Sequence, residues 1–143
     1  MPEIGSIILA NDESEEGSRA AALGLLLAHD MKSAVIVVGV VEPPNIQAEG
    51  TGLDTPSVGQ SRRELERNLE ALLERGHDLG LKVTLQITEG NVADEVLNAA
   101  REHGAGLIVV GRTHLSRFQR WIEGGSATDA ILRDSPCAVM IVP

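Results

Sequence analysis

Aromatic side chains are almost absent, since the 143 residues include one Phe, one Trp and no Tyr. The stacking platforms on which proteins hold single-stranded nucleic acid therefore have nothing to be built from. Positive charge is also scarce. Twelve Lys and Arg against 21 Asp and Glu leave a net charge of −9. That balance excludes the basic face that phosphate-backbone affinity requires, and it opposes binding to anionic membrane surfaces. No apolar run approaches the length of a bilayer crossing. The start, Met1-Pro2-Glu3, has neither the basic nor the apolar segment of a secretory signal. One cysteine, Cys137, excludes an internal disulfide and fits a reducing cytosol. It falls in the last apolar strand with no nearby charge to stabilise a thiolate, so it is expected to be a buried, inert thiol.

Several common chemistries lack their signatures. There is no Gly-x4-Gly-Lys-Ser/Thr loop, and no Gly-x-Gly-x-x-Gly follows the first strand. The histidines at 29, 77, 103 and 114 do not have metal-ligand spacing, and the first three fall in helices or at their ends, as surface residues do. A phosphorelay receiver would need an aspartate ending its acceptor strand and a lysine ending its last strand, and neither is present. A flavodoxin would place a Thr/Ser-rich phosphate loop after the first strand, where this chain has Asp12-Glu13-Ser14-Glu15-Glu16, whose acidic residues repel phosphate.

Hydrophobic periodicity divides the chain into alternating strands and helices. Ile4 to Asn11 is a short apolar strand, followed by a helix from Ser14 to His29 in which Ala20, Leu23 and Leu27 recur at helical spacing. Ala34 to Val41 is a second apolar strand, closed by Glu42-Pro43-Pro44. The one long loop runs from there to Pro56, ahead of an amphipathic helix from Ser57 to Leu79 whose stripe is Val58, Leu65, Leu69, Leu72 and Leu79 and which ends at Gly80. Val83, Leu85 and Ile87 alternate with polar residues, the pattern of a half-exposed edge strand. Asn91 caps a helix reaching His103, with Val92, Val96, Leu97 and Ala100 as its buried stripe. Leu107 to Gly111, a short helix from Ser126 to Asp134, and Cys137 to Val142 complete the chain.

This alternation predicts a single α/β domain over residues 1–143, a doubly wound, open, parallel five-stranded sheet with helices on both faces. With apolar strands one, two and four inside and the alternating third at an edge, the order 3-2-1-4-5 satisfies the burial pattern, and it reverses between the first and fourth strands. Ligands of open α/β sheets bind beyond the carboxyl ends of the strands at such a reversal, here beside Asp12 and Gly111.

The stretch from Gly111 to Thr128 has the composition such a site would need. Arg112, Arg117 and Arg120 against Glu123 give the segment 111–123 a charge of +2, so the rest of the chain carries −11. Gly124-Gly125-Ser126 then opens a helix, whose freed N–H groups and positive dipole end suit an anion such as phosphate. A glycine-turned connection with solvated arginines has the same composition.

The run Gly111-Arg112-Thr113-His114, followed by Gly125-Ser126 and a last strand entered through Pro136-Cys137-Ala138-Val139, resembles the C-terminal signature of the universal stress protein family, Gly-x2-Gly-x9-Gly-Ser/Thr. It departs from that signature in two places: His114 stands at the second glycine, and alignment on the last strand leaves ten residues rather than nine before Gly125-Ser126, whereas alignment on His114 puts Gly124-Gly125 at the Gly-Ser/Thr position. Ile8-Leu9-Ala10-Asn11-Asp12-Glu13-Ser14-Glu15, Gly39-Val40-Val41-Glu42-Pro43, Glu89-Gly90-Asn91-Val92-Ala93 and Leu107-Ile108-Val109-Val110-Gly111 resemble further family motifs, so the similarity spans nearly the whole chain.

The resemblance implies a small cytosolic stress-response or regulatory protein that binds ATP or AMP, with magnesium where the triphosphate is bound. Asp12 and the backbone of Val40 would meet adenine, with Ala10 lining its pocket. Gly111 and Arg112 would lie near ribose and phosphates, His114 beside them, and Gly125, Ser126, Ala127 and Thr128 would bind phosphates. Asp12 serves equally as a helix cap, and Ser126 caps its helix on either reading. The resemblance implies no catalytic residue and no protein-held metal, and at most weak ATP hydrolysis. It also implies a homodimer through the strand Cys137 to Val142. The alternative is a dimeric interaction module of the same family that has lost ATP.

Overall fold

The computed structural model describes residues 4–10, 15–41, 58–111 and 127–143. The elements are β1 (Ser6–Ala10), α1 (Glu15–Met31), β2 (Ala34–Val41), α2 (Val58–Asp78), β3 (Val83–Glu89), α3 (Val92–His103), β4 (Leu107–Gly111), α4 (Ala127–Asp134) and β5 (Ala138–Val142). All five strands are parallel, in the order β3-β2-β1-β4-β5 that the burial pattern predicts.

Apart from Ser6 at the start of β1, the central strands are apolar throughout, because both faces of the sheet are covered. Along β1 successive side chains serve opposite cores. Ile8 and Ala10 join Ile36, Val38, Val96, Leu97, Ile108, Val110 and Ile131 on the side of α3 and α4. Ile7 and Leu9 join Leu25, Val35, Val37, Leu69, Leu72 and Val109 on the side of α1 and α2. Each Ile, Leu or Val fully withdrawn from water in this way contributes about 1.5–3 kcal/mol before entropy is counted.

α1 seats a different stripe from the one its leucines predict. Ala20, Ala21, Gly24, Leu25 and Ala28 face the sheet, while Leu23 is 38% exposed and Leu26 lies outward with it. Small residues let the helix backbone approach β1 and β4 closely, and that closeness outweighs the burial of one more leucine. The α2 stripe holds at Leu69 and Leu72, whereas Leu79 lies past the end of the helix and is exposed. Gly80 follows with φ +76.

Asn91 caps α3 as expected, its side-chain oxygen accepting the Asp94 N–H at 3.2 Å. Gly104 ends the same helix at φ 59 and ψ 38, a left-handed conformation that costs glycine little. Edge strand β3 is partly closed from outside by α2, where Arg62 donates to the Ile87 carbonyl at 3.2 Å. Cys137 falls just before β5 and is half-buried rather than buried. Its amide donates to the Ser135 hydroxyl oxygen at 3.2 Å, in a turn that sets the entry of the strand.

Candidate functional site

The carboxyl ends of the strands are staggered. Ala10, the last residue of β1, is level with Val38 of β2 and Val110 of β4. β2 continues through Gly39, Val40 and Val41, and β4 through Gly111. Among the described residues this leaves a notch over the end of β1, walled by β2 on one side and β4 on the other.

The direction of the β2 main chain decides what the notch offers. The Ala34 N–H donates toward β1, to the Gly5 carbonyl at 2.9 Å, and the Val35 N–H donates toward β3, to the Lys82 carbonyl at 2.9 Å. The Val41 carbonyl accepts on the β3 side, from the Gly90 N–H at 3.0 Å. In a parallel ladder successive residues turn their main-chain groups to alternate neighbours. Val40 therefore presents both its N–H and its C=O on the β1 side, beyond Ala10. Its side chain is half-buried against the core on the α3 side. Ala10 is buried at 3% exposure, and Gly111 is buried as well.

α4 begins on the same side of the sheet. β4 ends at this edge of the sheet and β5, parallel to it, starts at the opposite edge, so the helix between them begins at the carboxyl side with Ala127 and Thr128. The positive end of its dipole lies on the side of the sheet where β1 and β4 stop. Of the residues the sequence points to, the fold thus brings Ala10, Val40 and Gly111 to one notch and starts a helix at Ala127 and Thr128 on the same side. Asp12, Arg112, His114, Gly125 and Ser126 lie outside the described residues, as do Arg117, Arg120 and Trp121.

Other chemistry is sparse. His29, His77 and His103 are exposed, and His103 pairs through Nε2 with the Gln86 side-chain oxygen at 2.8 Å. Among the described residues no group of three His, Cys, Asp or Glu could hold a metal ion. No described helix is long and apolar enough to cross a membrane. Among the described residues one buried hydroxyl, Thr88 Oγ1, has no hydrogen-bond partner, and its residue is level with Val40 on the neighbouring strand.

Residues 3–143 match the family model described as the universal stress protein family. The chain belongs to that family. A universal stress protein of Methanocaldococcus jannaschii, MJ0531, is 25% identical over 140 residues, covering 95% of this chain and 80% of the relative. The crystal structure of a universal stress protein family member from Burkholderia pseudomallei superposes with a TM-score of 0.74 at 26% identity, covering 100% of this chain and 98% of that one. A universal stress protein in complex with cAMP superposes with a TM-score of 0.72 at 18% identity, covering 99% of each chain, and shares the fold.

Two features of this universal stress protein have no signal in its sequence. The orientation of the Val40 main chain depends on whether an even or odd residue of β2 faces β1, which only the register reveals. Arg101, near the end of α3, donates to the Asp134 carbonyl of α4 at 3.3 Å across 33 residues of chain. Nothing in its local pattern distinguishes it from the other charged residues at helix ends.

Proposed function

We propose that this universal stress protein binds an adenine nucleotide, ATP or AMP, in the notch at the carboxyl ends of β1 and β4, and acts in stress response or regulation through its ligand. The Val40 main chain carries the reading. A donor and an acceptor on one residue, turned into a notch beside a buried alanine, complement the amino group and adjacent ring nitrogen of adenine without help from any side chain. Guanine, with a carbonyl where adenine has its amine, would oppose acceptor to acceptor. The amino end of α4, with Gly125, Ser126, Ala127 and Thr128, then takes the phosphates, and Asp12, Gly111, Arg112 and His114 complete the surround. Magnesium accompanies the triphosphate, held by phosphate oxygens. The superposable family member in complex with cAMP supports the ligand class.

The nucleotide retained by the purified protein tests this reading. Release by acid followed by mass spectrometry should yield ATP or AMP at a substantial fraction of one per chain. If none is retained, titration with ATP and magnesium should produce a saturable change in emission from Trp121, the only tryptophan. That change should exceed the one adenosine gives, because the arginines of the loop respond to phosphate. Silence in both experiments, with calorimetry also flat, would reject nucleotide binding.

One observation favours a second role, alone or beside the first. β5 is an edge strand paired only with β4 among the described strands, and Val139, Met140 and Ile141 are half-buried along it. Pairing with β5 of a second copy would satisfy its outer main-chain groups and make the protein a homodimer through Cys137 to Val142. Cytosolic action belongs to the same proposal and rests on the single cysteine. Sedimentation should give a dimer at micromolar concentration, dissociated by Met140→Glu, and a monomer throughout would reject the pairing.

A further inference from the structure

We infer that Arg101 is a positioning residue for the nucleotide site, holding α4 at the end remote from the ligand. The inference rests on the reading that the amino end of α4 faces the bound phosphates. The two helices on this face of the sheet are secured very differently. α3 buries Ala93, Val96, Leu97, Ala99 and Ala100, each at 5% exposure or less, and is closed at both ends by the Asn91 cap and left-handed Gly104. α4 has eight residues, and Ile131 is the only one of those described from 129 to 134 that is buried. Leu132 is 48% exposed, so the second large apolar side chain of α4 adds little hold.

A helix of this length is not stable by itself, and its position is set by what grips it. Ile131 and half-buried Ala130 pack on the core, and Arg101 adds a grip at the carboxyl end of the helix. Its Nη2 donates at 3.3 Å to the carbonyl of Asp134, the last residue of α4 and one of the groups a helix end leaves without an internal partner. The guanidinium stands in the last turn of α3 as well, so one positive charge serves the negative dipole ends of two parallel helices. α3, fixed in the core, thereby becomes the reference against which α4 is held. A helix loosened at its carboxyl end presents its amino end in the binding arrangement for a smaller fraction of the time, and apparent affinity falls by that fraction.

Arg101→Met, which keeps the aliphatic stem and removes donor and charge, tests the inference with Arg101→Lys as the rescue. Two readouts are needed: amide hydrogen exchange in the absence of ligand, and calorimetric affinity for ATP with magnesium. Arg101→Met should speed exchange at Ile131 to Asp134 about two- to fivefold, leave Val96 to Ala99 unchanged, and weaken ATP binding by up to the same factor. Arg101→Lys should restore much of both. Unchanged exchange in α4, equal acceleration in α3 and α4, or faster α4 exchange with unaltered ATP affinity would each overturn the inference while leaving the nucleotide reading in place. A wild-type chain with no affinity for ATP or AMP would overturn that reading and this inference with it.

Discussion

Gly24→Ala puts two established effects in direct opposition, and the structure decides which wins. Gly24 lies within α1 where the helix crosses β1, and a Cβ built on it would stand 2.2 Å from Leu9 Cδ2. An ordinary carbon contact is about 3.5 Å, so the methyl group must gain about 1.3 Å from a neighbour. Leu9 is 1% exposed and cannot swing into solvent. Overpacking of this kind costs about 1–3 kcal/mol. Against it, alanine is favoured over glycine inside a helix by about 1 kcal/mol. The net expectation is destabilisation by about 0–2 kcal/mol, read as a lower urea midpoint at unchanged slope.

The partner substitution sharpens the test. Leu9→Ala alone should cost about 2–5 kcal/mol, and in that background Gly24→Ala should become neutral or stabilising, because its methyl group enters the space Leu9 vacated. If Gly24→Ala stabilises the wild type by the full helix-propensity increment, α1 does not seat on Leu9, and the close approach of helix to sheet described above is wrong.

Thr88→Val removes a buried hydroxyl that has no partner, so stability should stay level or rise by about 1 kcal/mol; a loss greater than 1 kcal/mol would show that the hydroxyl is hydrogen-bonded, for example to an enclosed water. On the proposed placement of His114 beside the phosphates, His114→Gly should tighten ATP binding at pH 8 by allowing closer approach of the backbone; weaker binding by calorimetry would make His114 a ligand.

Legibility in the sequence followed the strength of the periodic signal. β2 stands over Ala34–Val41 as its apolar run implies, because that run is bounded by Ser33 on one side and Glu42-Pro43 on the other. The strand order was also consistent with the pattern, since β1, β2 and β4 are almost wholly apolar while β3 alternates, although edge strand β5 is apolar too. α1 was misread at Leu23 because leucines at 23, 25, 26 and 27 surround the helix, and hydrophobicity alone cannot select a face. The face is chosen by Ala20, Ala21, Gly24 and Ala28, whose smallness rather than polarity is the signal. Cys137 was placed inside the last strand, but the turn made by Ser135 keeps it at the entry, half-buried. At the site, the family resemblance pointed to Ala10, Val40 and Gly111, while the role proposed for Val40 depends on the phase of a hydrogen-bond ladder. No residue type encodes that phase.

The central claim is that an adenine nucleotide occupies the notch over β1, and amide chemical shifts on addition of AMP or ATP test it most directly. The account predicts saturable changes concentrated at Ala10, Val40, Val41, Gly111, Ala127 and Thr128, with the amino ends of β1 to β5 and the body of α2 undisturbed. Guanine nucleotides at the same concentration should leave the Val40 amide where it is. Changes confined to other parts of the molecule, or an unshifted Val40 amide at saturating adenine nucleotide, would contradict it.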